Sequence, residues 1–153
     1  MILKSREIIT LSMFICCCLI FLPKASAFEI KKVTSTNGIK AWLVEDHKNP
    51  LITLQFVAKG GASADPKDKN GLAYLVSGLL DEGAGDLDSE SFQALLEKNS
   101  ISLSFNARMD TFSGTLTTLT ETKKEAFRSL RLALTVPRFD KEPVSRVKSQ
   151  ILA

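Results

Sequence analysis

Residues 71–83 read GLAYLVSGLLDEG, and the fold turns on how this stretch is taken. Its apolar residues predict a buried helix over residues 71–82 with Gly78 set in its middle. A glycine inside a helix costs about 1 kcal/mol relative to alanine. Packing alone would favour Ala or Leu at position 78, so something else has shaped it.

Working outward, hydrophobic period marks short elements on both sides, with no repeat and no low-complexity linker. Towards the N-terminus, residues 28–33 and 39–44 predict two strands joined through Thr36-Asn37-Gly38, and Asn-Gly is the strongest short hairpin signal. Residues 51–58 predict a third strand, followed by a polar loop through Gly60-Gly61 and Asp65-Pro66-Lys67-Asp68. Towards the C-terminus, Asp88 or Ser89 caps a second helix that carries Phe92, Leu95 and Leu96 on its apolar face and stops at Asn99. Residues 101–105 alternate and residues 111–119 are rich in threonine. Together they predict a strand pair turning around Arg108-Met109-Asp110.

Thr122 and Glu125 have capping-box spacing for a third helix, with Ala126, Phe127, Leu130 and Leu134 inward and Lys123, Lys124, Arg128 and Arg131 on the wet face. Pro137 ends it. Asp140 caps a fourth helix, with Pro143 in its first turn and Val144, Val147 and Ile151 on one face. That helix meets no stop signal before Ala153. The order of elements predicts an α+β fold: an antiparallel or mixed sheet with helices packed on one face, truncated at the C-terminus.

The chain has 153 residues, 44% of them hydrophobic, enough for one ordinary domain. Residues 1–27 are expected to be a signal peptide. Lys4 and Arg6 supply its positive start, residues 11–22 (LSMFICCCLIFL) its apolar centre, and Ala25-Ser26-Ala27 its cleavage site. The apolar run is too short for the roughly 20 residues that span a bilayer. Met13-Phe14-Ile15 lacks the small residue expected ahead of a lipidated Cys16. Cleavage after Ala27 removes Cys16, Cys17 and Cys18, so residues 28–153 are expected in a secreted or periplasmic setting without a disulfide. It also leaves the charges near balance, with no electrostatic case for nucleic acid or an anionic membrane.

Taken singly, the chemical candidates are weak. His47 is the only histidine, so no His pair can hold zinc, and between Asp46 and Lys48 it reads as a solvated loop residue. Asp81 and Glu82 have the chemistry of an acid–base pair, but they also suit a helix end beside a loop. Gly83-Ala84-Gly85 is too short for a phosphate loop and follows a helix instead of a strand.

In order along the chain, the run NGIKAWLVEDHKNPLITLQFVAKGGASADPKDKNGLAYLVSGLLDEG (37–83) and NARMDTF (106–112) resemble the N-terminal part of the M16 metallopeptidase family. This is the pitrilysin, insulinase and mitochondrial-processing-peptidase group, and the resemblance covers nearly all of residues 29–153. It implies a LuxS/MPP-like metallohydrolase type of fold, with residues 28–153 the N-terminal portion of one such domain. In active members Gly-Leu-Ala is followed by His-x-x-Glu-His. Two histidines four apart reach zinc from one helix face, while the glutamate activates the metal-bound water. Here Tyr74, Ser77 and Gly78 stand at those positions, so the motif is degenerate and neither a catalytic residue nor a metal ligand nor a bound cofactor is expected. Gly78 then reads as a former ligand position released from its chemistry. By the family's spacing, the third ligand, a glutamate, would fall at or beyond Ala153. Val147 stands where the family often has an acidic residue.

In active relatives the segment matching Asn106 and Ala107 pairs with the substrate backbone beside the zinc, which makes these two the candidate substrate-binding residues. The resemblance implies a non-catalytic partner for an active M16 peptidase subunit, assisting peptide binding in a heterodimer. Two alternatives stand beside it. One is a decayed zinc-protease fragment without function. The other is a small periplasmic interaction domain whose strand over residues 111–120 takes up a peptide by strand addition.

Overall fold

The computed structural model describes residues 29–152. The expected signal peptide lies outside them. The described residues divide into two units, one ending at His47 and the other beginning at Lys48. In the first, β1 (Ile30–Thr34) and β2 (Lys40–Val44) form an antiparallel hairpin that sets Ile30 opposite Val44 and Thr34 opposite Lys40. The Asn-Gly tip forms as its sequence predicts. Gly38 takes φ 83°, and its N–H donates to the Ser35 carbonyl at 3.0 Å.

The second unit holds β3 (Leu51–Lys59), β4 (Ser102–Ala107) and β5 (Thr111–Leu119), antiparallel in the order β3-β5-β4. Its helices are α1 (Leu72–Ser77), α2 (Ser89–Lys98), α3 (Lys123–Thr135) and α4 (Lys141–Leu152). Alternation along the strands sends Leu54, Phe56, Leu103, Phe105 and Leu116 to one face, where they meet Phe92 and Leu96 of α2 and Ala126, Leu130 and Ala133 of α3. Thr53, Gln55 and Val57 on the other face are exposed, so the helices do pack on one side of the sheet. Gly114 is required at the centre of β5. A Cβ there would collide with the Phe56 ring, which gathers with Phe105 and Phe112 at centroid separations of 6.1 to 6.5 Å.

Three local expectations are corrected. The helix predicted over residues 71–82 stops at Ser77, and Gly78, at φ −82° and ψ −1°, is its C-cap instead of an interior residue. Beyond it the turns tighten: Leu79 N–H donates to Val76 O at 3.0 Å and Glu82 N–H to Leu79 O at 3.1 Å. Leu79 and Leu80 are buried all the same, because the chain folds back to bridge Ala84 with Leu87 and Pro137.

The capping box at Thr122 does not form. The Thr122 hydroxyl instead meets the Thr118 hydroxyl at 2.8 Å and donates to Leu119 O at 3.3 Å, while Glu125 pairs with Arg128 at 2.9 Å. The buried stripe of α3 is also rotated from the expected one. Ala126, Ser129, Leu130 and Ala133 face inward, and Phe127 and Leu134 are each 42% exposed. Small residues on the inner face let the helix approach the sheet closely.

Candidate functional site

A six-residue helix is too short to hold itself together, so α1 depends on its surroundings. Asp65 supplies the main restraint. Its carboxylate accepts from Gly71 N–H at 2.7 Å and Ala73 N–H at 2.8 Å, capping the first turn from the preceding loop. That loop is latched in turn to the junction of β4 and β5. Gly60 N–H donates to Asp110 O at 3.1 Å, Ala62 N–H to Arg108 O at 2.9 Å, and Ser63 N–H to Met109 O at 2.8 Å. The two segments singled out in the sequence, around Gly61 and around Arg108, are thus one structural clasp, and α1 packs against β4.

Between α1, β4 and α4 lies a cleft of about 360 Å³. Tyr74, Ser77 and Gly78 line it, together with Asp81, Glu82, Asn106 and residues of α4. The three degenerate motif positions and the strand residue Asn106 are therefore brought together. Ala107 is not part of the lining, and its side chain is buried. Ser104, Phe105 and Asn106 all line the cleft although neighbouring strand residues point to opposite faces, which sets the cleft along the edge of β4. Among the described residues no other strand pairs with that edge. Arg108 N–H donates to Thr111 O at 2.8 Å. By the alternation of an antiparallel ladder, Asn106 then turns its backbone groups to β5, and Phe105 and Ala107 turn theirs to the open edge.

The donor set does not fit a zinc ion. Gly78 has no side chain, and the Ser77 hydroxyl is buried and donates to Tyr74 O at 2.7 Å. Among the described residues no group of three or more His, Cys, Asp or Glu side chains is placed to hold a metal.

Two carboxyl groups in the cleft are driven apart. Glu82 accepts a two-pronged pair from Arg146, at 3.2 Å from Nη1 and 2.6 Å from Nη2, and a further bond from the Ser89 hydroxyl. The Arg146 bond holds Glu82 below its usual value against the effect of burial, with Ser89 adding to it. Arg146 also bonds Glu142 through Nε at 3.2 Å. Burial pushes Asp81 the other way, and the adjacent Glu82 charge adds to the rise; its own backbone N–H and Arg146 oppose it.

At position 78 the close neighbour is α4. A Cβ there would lie 3.1 Å from Val147 Cγ1, on a side chain that is itself buried. Val147 and Arg146, adjacent on α4, thus hold that helix against the segment following α1. Neither contact was legible in the chain, since each joins residues more than sixty positions apart. The Asp65 cap was missed too, although its spacing from Gly71 is short.

This fold, a three-stranded antiparallel sheet with helices on one face and a cleft where a short helix meets the edge strand, is similar to that of solved M16 peptidase domains. The inactive domain of a peptidase M16 from Pseudomonas fluorescens superposes at a TM-score of 0.71 with 23% identity, covering 81% of this chain and 30% of that one. Pitrilysin superposes at 0.69 with 19% identity, covering 84% of this chain and 14% of that one. A protease from Helicobacter pylori gives 0.66 with 14% identity, covering 82% and 30%. No protein-family model matches the chain.

In sequence, the chain is similar to the non-peptidase homolog YmxG of Helicobacter pylori, 34% identical over 109 residues. The match takes in 71% of this chain and 25% of that protein, so the chain spans about a quarter of the relative's length. The chain is accordingly M16-like in fold and similar in sequence to a non-peptidase homolog over 109 residues.

Proposed function

We propose that the chain acts as a non-catalytic partner of an active M16-type peptidase, holding peptide along the open edge of β4 while the partner supplies the chemistry. The carrying observation is the cleft itself: it keeps α1 beside a strand edge that no other strand among the described residues pairs, although Tyr74, Ser77 and Gly78 offer no zinc site. Backbone pairing needs no particular side chain, so peptide binding can outlast the loss of catalysis. Similarity to a protein described as a non-peptidase homolog supports the same reading. Export belongs to the proposal as well, with cleavage after Ala27 placing the protein in the periplasm or outside the cell.

Coexpression with an M16 peptidase that has an intact His-x-x-Glu-His motif tests this. The pair is expected to associate and to cleave peptide faster than the active subunit alone. Ala107→Pro, shown by circular dichroism to be folded, is expected to reduce the gain, because proline removes a donor from the open edge. A folded chain that neither associates with the peptidase nor changes its cleavage overturns the proposal and favours the decayed fragment.

A further inference from the structure

Asp81 is a carboxyl group that meets its own backbone N–H but, among the described residues, is paired with no basic side chain. Glu82 beside it is committed to Arg146 and Ser89, and Arg146, the cation whose field reaches Asp81, is committed to Glu82 and Glu142. Asp81 nevertheless lines the cleft, together with Tyr74 and Ser77 and alongside the edge of β4. Partly burying a carboxylate without a counter-charge works against folding, and groups kept at such a cost gather where a ligand is bound.

We infer that Asp81 is a specificity determinant of this cleft, receiving a lysine or arginine side chain of a peptide paired along β4. The inference rests on the peptide-holding reading given above and names the class of peptide. A peptide extended along the edge sends alternate side chains to opposite faces, so one class of side chain turns towards α1 and the Asp81 carboxylate. An ammonium or guanidinium arriving there completes the ion pair that the fold leaves open. Tyr74, 52% exposed, offers an aromatic face for the aliphatic stem of that side chain.

The test uses the purified chain and fluorescent peptides of one extended sequence that differ at a single central position: lysine, norleucine or glutamate. Binding is measured for the parent and for Asp81→Asn, whose fold is verified by thermal melting. The lysine peptide is expected to bind about tenfold more tightly than the norleucine peptide, the glutamate peptide least tightly, and the difference between lysine and norleucine to vanish in Asp81→Asn. Equal binding of all three to the parent would overturn the role of Asp81 while leaving the peptide-holding reading standing. An unchanged lysine preference in the variant would do the same. Failure of every peptide to bind the folded parent would overturn both.

Discussion

Gly78 carries a lesson in sign. Taken as an interior helix residue, it should be improved by alanine. The structure makes it a C-cap with Val147 Cγ1 at 3.1 Å from where a Cβ would stand. Val147 is β-branched and buried, so it cannot swing aside cheaply. Gly78→Ala is therefore expected to cost about 1 kcal/mol in chemical denaturation. Combining it with Val147→Ala should cost less than the sum of the two single changes, and strict additivity would show that the contact does not matter.

The neighbouring carboxyl groups give opposite pH responses. Glu82 is held below its usual value, so its contribution is complete above the unfolded carboxylate range and is lost as pH falls through its folded value. Asp81 is raised, so between its unfolded and folded values the native state binds more protons, and stability falls as pH rises through that window. Glu82→Gln should lower stability at pH 7 by about 1 kcal/mol, a figure kept modest because Arg146 is 40% exposed. Asp81→Asn should raise the melting temperature at neutral pH. The Asp81 difference should shrink as pH falls below the ordinary carboxylate range, and the Glu82 difference as pH falls through its lowered folded value. Melting curves at several pH values check this.

Among the elements, α1 is the most dependent on others. Its six residues are capped from outside by Asp65, whose loop is clasped to the turn between β4 and β5. Asp65→Ala removes both acceptors from the first turn and is expected to cost about 1 kcal/mol or more. Because α1 forms one wall of the cleft, the same variant should exchange the amide protons of residues 73–77 faster than the parent, measured by hydrogen exchange. A larger loss elsewhere than in α1 would place the role of Asp65 in the sheet. By contrast α2 is capped within its own sequence, with Ser91 N–H donating to Asp88 Oδ1 at 2.9 Å. Its start was readable for that reason.

For the protein as a whole, the degenerate motif has a direct consequence. With Tyr74, Ser77 and Gly78 in place of His, Glu and His, the chain dialysed against metal-free buffer is expected to retain no stoichiometric zinc and to cleave no peptide unaided. One tightly held zinc per chain in elemental analysis would mean that other residues form a site. N-terminal sequencing of exported protein is expected to start at Phe28, and retention of Met1 would count against the proposed export.

The sequence by itself determined the elements whose signals are local. The Asn37-Gly38 hairpin, the alternation of residues 101–105, the Asp88 cap and the stop at Asn99 each depend on neighbours a few positions away, and each appears where the chain predicts it. Ordered short motifs also carried the likeness to M16 peptidases, and the replacements in the zinc motif were visible as letters. Tertiary structure alone decided the rest. Thr122 chose Thr118 over its capping box, α3 turned Phe127 outward, and α1 ended at Gly78, because packing at distant contacts outweighed local preference. The cleft belongs to the same class. Asp81, Glu82 and Arg146 acquire their meanings only when α4 is laid against the segment after α1, since a charge takes its behaviour from what surrounds it in space.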